Sequence, residues 1–273
     1  MQPLLQQKIY ATLLAAFVGI SCFAQSTTSA STPIKIIVPF TPGTGMDTIA
    51  RVVAPRLSER LGQPVVVQNQ PGASGNIGAE AVAKSNPDGN TVLMGANTML
   101  IASQLYKNTP YNPVKDFAPV SMSAYGSLML VAHPKTDIKS VKDLVRVATS
   151  RPGHLSFGSP GVGTPHHMAM ELFKTRTQLF MLHVPYRGTA EALNSLMGNQ
   201  VQFSVLDVSA LGQLRSGRVR PLAVTSAKRW SQLPEIPTIS ESGYSGFDAT
   251  SGGGIMVAGK TPRDIVAQIN AAI

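Results

Sequence analysis

Twice along this chain an apolar, strand-like run feeds a glycine-rich loop that opens a helix. Residues 34–40 lead into Thr41-Pro-Gly-Thr-Gly-Met-Asp47, and residues 155–157 lead into Gly158-Ser-Pro-Gly-Val-Gly-Thr164. Each loop offers bare backbone N–H groups and the positive end of a helix dipole to an anion. One such loop is common in α/β folds. Two of them, a domain apart and with Asp47 as their only charged side chain, predict the two walls of a cleft that grips a small carboxylate from opposite sides.

Composition bounds that reading. The 273 residues are 43% hydrophobic and 14% charged, enough for one large or two modest globular domains, and disorder is excluded. Residues 1–24 read as a secretory signal peptide. Lys8 is its basic region, residues 9–23 are apolar but too short to span a bilayer comfortably, and Ala24 is the small cleavage residue. The competing readings are a retained membrane anchor and a lipid anchor on Cys22, the latter opposed by Gly19 where such a motif wants a bulky aliphatic. Cleavage removes the only cysteine, so the mature chain has neither a disulfide nor a catalytic thiol. Against 14 acidic residues stand 23 Lys and Arg, a formal charge of +9 that favours encounter with anions. The basic residues are scattered and not interleaved with aromatics, which argues against nucleic acid.

Strand and helix signals then alternate. The run 34–39 is strand-like, and Ile49, Val52, Val53, Leu57 and Leu61 recur at helical spacing before Gly62 ends the helix. Strands are expected at 65–68 and 91–94, with a short helix at 76–85 between turns at 71–75 and 87–90. Repeated β-α-β units with short connections predict a parallel sheet. The pattern recurs on a second sheet: a strand at 128–132, a helix at 141–148 capped by Ser140, a strand at 155–157, and a helix at 166–174 with Pro165 in its first turn. Further elements are expected at 182–184, 189–197, 201–205, 209–216 and 221–224. Crossings near 124–126 and 225–228 make the first domain discontinuous, the topology of a hinged two-lobe binder.

Specific stretches resemble a known family. Ile37-Val-Pro-Phe-Thr-Pro-Gly43 with Asp47, Leu61-Gly-Gln-Pro-Val-Val-Val67, the run from Asn69 to Gly78, Pro87-Asp-Gly89, the run from Tyr111 to Val120, His183-Val-Pro-Tyr-Arg-Gly188 and the run from Leu222 to Arg229 are similar, in order, to the substrate-binding receptors of tripartite tricarboxylate transporters, the Bug family. The resemblance runs over about residues 33–273. It implies an α/β, two-lobe periplasmic binding protein of the type 2, Venus-flytrap class, monomeric, with residues 33–125 and 226–273 as domain 1 and 126–225 as domain 2. It implies a non-enzymatic receptor that delivers a small carboxylate to the membrane permease subunits of such a transporter, or to a sensor protein. By the same resemblance the ligand lies between Phe40, Thr41, Gly43, Thr44, Gly45 and Asp47 on one lobe and Ser159, Gly161, Gly163, Thr164 and His166 on the other. Ser159 and Thr164 are the expected hydroxyl donors, with Ala96, Asn97 and Thr98 near the cleft and Asp207 shaping its far end. Three departures from the family pattern are Thr44 in place of Gly, Leu206-Asp-Val, and Ser251-Gly-Gly-Gly254 in place of an aromatic pair. Family members continue beyond the helix that begins at Pro262, so the chain is expected to be truncated, with apolar surface of domain 1 uncovered.

Other chemistries fit less well. Gly43 and Gly45 give G-x-G, but Thr48 replaces the third glycine of a dinucleotide fingerprint, so no cofactor is expected. His166, His167 and Glu171 lack the H-E-x-x-H pattern, so no metal is expected; His166 reads as a loop-helix polar contact and His167 as surface or domain packing. Asp47 reads as a cap that fixes its loop, Arg187 as either a counter-ion for the ligand or a surface cation, and Trp230 as a packed residue. The alternative function is a secreted serine hydrolase of small carboxylic esters or amides using Ser159 or Ser251 with His166 or His183, although no G-x-S-x-G elbow is present.

Overall fold

The computed structural model describes residues 32–273; the expected signal peptide lies outside the described residues. Two five-stranded sheets organise the chain. The first contains β1 (Ile34–Val38), β2 (Val65–Asn69), β3 (Thr91–Ala96), β4 (Phe117–Ser127) and β10 (Thr250–Ala258), in the order β2-β1-β3-β10-β4. The second contains β5 (Met129–Ala132), β6 (Ser156–Ser159), β7 (Leu182–Pro185), β8 (Phe203–Leu206) and β9 (Arg220–Val224), in the order β7-β6-β8-β5-β9. The helices are α1 (Gly45–Leu61), α2 (Asn76–Ala83), α3 (Thr98–Leu105), α4 (Val141–Ser150), α5 (Pro165–Thr177), α6 (Thr189–Met197), α7 (Leu211–Arg215) and α8 (Arg263–Ala272).

The expected parallel sheet is corrected to two mixed ones. Within each, three strands run parallel, β2-β1-β3 and β7-β6-β8, as the β-α-β units require. β10 is antiparallel to β3 and β4, and β5 is antiparallel to β8 and β9. The antiparallel strands lie beside the crossings between sheets: β4 passes through Leu128 straight into β5, while Thr225, just after β9, begins the return that ends in β10. The two crossings are tied together. Thr225 N–H donates to the Leu128 carbonyl at 2.9 Å, Leu128 N–H donates to Thr225 Oγ1 at 3.1 Å, and Ala249 N–H donates to the Thr225 carbonyl at 2.8 Å.

Each sheet is a core between helices. Ala50, Ala54 and Leu57 of α1, spaced one turn apart, are buried against Ile34, Ile36, Val38, Val92 and Met94. In the other lobe Phe157, Phe173, Phe203 and Phe247 pack with Leu130 and Leu144, and burying each aromatic contributes about 2–3 kcal/mol. Helix α4 starts as expected, with Ser140 Oγ accepting from Asp143 N–H at 3.1 Å. Trp230 is partly buried against Leu196, Val201 and Leu233, a packing residue as expected.

Two local expectations change. The strand expected at 91–94 runs on through Gly95 and Ala96, and Thr98 begins α3, so Asn97 alone joins them. The helix expected at 209–216 divides into a 3-10 turn at Val208–Ala210 and the short α7. Ser251-Gly-Gly-Gly254 lies inside β10, where strand spacing explains the glycines. A Cβ on Gly254 would lie 2.2 Å from the Ser121 carbonyl oxygen, and one on Gly253 would lie 2.5 Å from that of Gly95.

Candidate ligand-binding cleft

The first glycine loop joins β1 to α1. Gly43 takes φ +82°, a conformation that L side chains rarely adopt, and Thr44 caps the helix by accepting from Asp47 N–H through Oγ1 at 3.3 Å. Asp47 returns the interaction, since its Oδ2 accepts from Gly43 N–H at 2.9 Å. Arg51 Nε donates to the same oxygen at 3.0 Å, and Asn69 Nδ2 donates to Oδ1 at 2.9 Å and to the Phe40 carbonyl at 3.1 Å. Burial pulls the Asp47 pKa upward, but these hydrogen bonds and the Arg51 charge outweigh it and hold the carboxyl below its ordinary value. Asp47 is thus a brace for its loop.

The second loop joins β6 to α5 and repeats the device. Gly163 takes φ +79°, Thr164 accepts from His167 N–H at 3.3 Å, and His167 Nδ1 accepts from Gly163 N–H at 3.2 Å. His167 therefore stands where Asp47 stands. Its ring stacks on His183 at a centroid distance of 4.0 Å, and His183 stacks on Phe157 at 4.8 Å. His183 Nε2 lies 2.6 Å from Ser159 Oγ, which also accepts from Gly161 N–H at 3.2 Å. Burial depresses the His183 pKa to about 4, helped by the neighbouring His167, and burial lowers His167 as well.

Between the loops lies a cavity of about 40 Å³ lined by Phe40, Thr44, Met46, Ala96, Thr98, Pro160, Thr164, Pro165, His166, Thr189, Asp207 and Ser251. The helix starts define it: Thr44 and Met46 belong to the first turn of α1, Thr98 opens α3, Pro165 and His166 open α5, and Thr189 opens α6. Four helix N-termini thus meet here, and among the described residues the lining holds no Lys or Arg and one acid, Asp207. Thr98 Oγ1 and both ring nitrogens of His166 are buried without hydrogen-bond partners, as are Thr41 Oγ1 and Asn97 Oδ1 close by. Such orphaned groups cost free energy and mark places where a structure is prepared for something else. Asp207 Oδ1 accepts from Ser209 N–H at 2.9 Å, while Oδ2 lies 3.5 Å from His166 Nε2. Burial disfavours the Asp207 charge, yet His166 and Ser209 more than compensate and bring its pKa down to about 2.

The lobes meet where one supplies a glycine and the other a side chain. A Cβ on Gly188 would lie 2.1 Å from Thr41 Oγ1, one on Gly161 would lie 2.8 Å from Ser74 Oγ, and one on Gly45 would lie 3.0 Å from Asp207 Oδ2. Of the residues expected at the site, Phe40, Thr44, Ala96, Thr98, Thr164, His166 and Asp207 line the cavity. Gly45, Gly161 and Thr41 form the contact between lobes, Gly163 packs against Leu105, and Gly43 and Asp47 brace the first loop. Two hydroxyls are already engaged: Ser159 Oγ with His183, and Thr164 Oγ1 as donor to the Gly161 carbonyl at 2.8 Å. Ser159 is fully buried and absent from the lining, because its loop turns the hydroxyl back into the lobe. The polar contact expected of His166 with its loop is replaced by the 3.5 Å approach of Nε2 to Asp207 Oδ2, and His167 braces the loop through Nδ1. Arg187 is exposed and outside the lining.

Met46, Pro160 and Pro165 also line the cavity, inside the two loops expected to hold the ligand, whereas Thr189 and Ser251 line it without having been expected there. Thr189 carried a usable signal, since Gly188 follows a strand and precedes a helix just as the two glycine loops do.

Residues 49–273 match the tripartite tricarboxylate transporter family receptor, TctC. The chain belongs to that family. BugT of Bordetella pertussis is 36% identical to this receptor over 261 residues, 94% of this chain and 80% of BugT. Among solved structures, Rpa4515 of R. palustris with adipate superposes with a TM-score of 0.86 at 37% identity, over 88% of this chain and 82% of that one. MatC of Rhodopseudomonas palustris with bound malate superposes with a TM-score of 0.84 at 30% identity over the same shares. The two-lobe architecture of the TctC receptor is therefore that of the periplasmic binding proteins it resembles.

Proposed function

We propose that this chain is a periplasmic solute receptor that closes on a small carboxylate between its two glycine-rich loops and presents it to the permease of a tripartite transporter or to a sensor. The observation that carries the reading is the convergence of four helix N-termini on a cavity that also holds unpartnered polar groups, Thr98 Oγ1 and the His166 nitrogens. The adipate- and malate-bound relatives support the carboxylate class. In this reading the N–H groups at the helix starts, those of Gly45 and His166, hold the anion, since those of Gly43, Gly161 and Gly163 are already bonded to Asp47, Ser159 and His167, and the hydroxyls of Thr98 and Thr189 lie around it. Closure withdraws the acid from water, which strengthens each of these contacts.

One observation favours a hydrolase, the 2.6 Å approach of Ser159 Oγ to His183 Nε2. Its surroundings oppose it. Ser159 is fully buried, the His183 ring lies between Phe157 and His167, and a histidine with a pKa near 4 is a poor base at neutral pH. The pair reads as a packing link that sets the second loop.

Calorimetry against adipate, malate and their neutral diamides tests the reading. Binding of an acid but not of its diamide, with the acid recovered unchanged, is expected. Equal binding of the diamides would remove the anion from the mechanism, and conversion of the acid to a product would replace the receptor by an enzyme.

A further inference from the structure

The cavity contains an acid of its own. Asp207 enters it from the turn after β8, with Oδ1 held by the Ser209 N–H and Oδ2 between His166 Nε2, 3.5 Å away, and Gly45, the first residue of α1 on the opposite lobe. A Cβ on Gly45 would lie only 3.0 Å from that oxygen, so Asp207 Oδ2 lies against the helix start proposed to hold the ligand's carboxylate. An ionised carboxylate is acceptor-only. A ligand presenting nothing but acceptor oxygens would set one anion against another here, in a site with no Lys or Arg to separate them.

The neighbouring groups sharpen the demand. Thr98 is 2% exposed and its Oγ1 has no partner, while His166, 8% exposed, has Nε2 at 3.5 Å from Asp207 Oδ2, longer than a normal hydrogen bond. Thr98 can donate one hydrogen bond to a carboxylate while still accepting another, whereas a proton on His166 Nε2 faces Asp207. Asp207 Oδ2 can only accept. The lining is therefore dipolar, with donors at the helix starts and a fixed acceptor beside them, and its complement carries an acceptor and a donor on adjacent atoms.

We infer that the ligand is an acid with a hydrogen-bond donor on the carbon next to its carboxylate, a 2-hydroxy or 2-amino acid, and that Asp207 receives that donor. The inference rests on the carboxylate-receptor reading and narrows it. An ammonium is the stronger complement because it also offsets the Asp207 charge, and a hydroxyl the weaker. Asp207 is in these terms a specificity residue, while the loops that hold the carboxylate serve every acid alike.

The test uses matched acids that differ only at that carbon: succinate, malate and aspartate; propionate, lactate and alanine; phenylacetate, mandelate and phenylglycine. Each is titrated calorimetrically into the wild-type chain and into Asp207→Asn, which keeps an acceptor for the Ser209 N–H and turns an amide donor to the cavity. On whichever skeleton binds, the substituted acids are expected to bind about 10- to 100-fold tighter than the unsubstituted one, the worth of a hydrogen bond to a charged group. Asp207→Asn should erase that preference and leave the unsubstituted acid bound as well as before or better. An unsubstituted acid that matches its derivatives in the wild type overturns the inference, as does a preference that survives in Asp207→Asn. If the variant does not melt cooperatively, the wild-type ranking decides alone. If no acid on any skeleton binds, the carboxylate reading itself fails and takes this inference with it.

Discussion

The two glycine loops share one skeleton and differ in what fills it. Both place a glycine at positive φ before a threonine cap, and both turn the third helical residue back to accept the glycine N–H. In the first loop that acceptor is Asp47, held by Arg51 and Asn69. In the second it is His167, stacked on His183 and backed by Phe157. The acceptor atom is thus required by the turn, whereas its charge is open to choice. One wall is braced by ions and the other by rings, and the walls should answer differently to substitution and to acid.

The largest effect is expected where the walls meet. Gly188 has φ 173°, extended backbone that any residue adopts, so Gly188→Ala should fold normally. With the lobes closed, its Cβ would occupy the space of Thr41 Oγ1. Affinity for whichever acid the wild type is found to bind should fall about 10- to 100-fold, and Thr41→Gly in the same chain should restore much of it. Titration of the single and double variants checks this, and additive losses would show that the two residues do not meet.

Next comes removal of each brace. Asp47→Ala leaves the Gly43 N–H and Asn69 Nδ2 without their acceptor in a site only 3% exposed, for about 2–4 kcal/mol by urea denaturation. His167→Ala loses one hydrogen bond and a ring contact, for about 1–2 kcal/mol. Equal losses would erase the distinction between the walls.

Acid should act on the second wall first. The folded protein holds His183 at about 4 against an ordinary 6.5, so between those values the unfolded chain binds the extra proton and stability falls as pH falls. Asp47 is also held below its ordinary value, but from a lower starting point. Its contribution is present above the ordinary carboxyl value of 3.8 and is lost only as pH drops through the lower folded value. Melting temperature should therefore decline from pH 6.5 to 4, and His183→Gln should flatten that decline while Asp47→Asn leaves it in place. The smallest effect is Arg51→Ala. Its side chain is 52% exposed, and losing its ion pair should cost no more than about 1 kcal/mol.

What was legible in the sequence is what is local. The helix stop at Gly62, the proline at the start of α5 and the Ser140 cap each depend on residues within one turn of chain, and each stands where its pattern placed it, whereas the caps formed by Thr44 and Thr164 were not foreseen. The antiparallel course of β10 was hidden because a strand's direction is set by the connection that delivers it. The engagement of Ser159 with His183, 24 residues away, was hidden because a hydroxyl's direction follows from packing. The contacts of Gly188 with Thr41 and Gly45 with Asp207 exist only when two lobes meet. Family resemblance named the loops and the glycines, but which atoms of the cleft are free and which are already engaged emerged only from side-chain geometry.

The absence of Lys and Arg from the cavity lining bears on how such a receptor lets go. A buried cation would keep its grip on an acid through most of an opening motion, since the pull of a full charge decays slowly with distance. Donors divided between two bodies behave otherwise. Each is short-ranged, and under the proposed binding mode those on the departing lobe would be lost together, so prying the lobes slightly apart would turn a tight complex into a fast-dissociating one with no competition for the cargo.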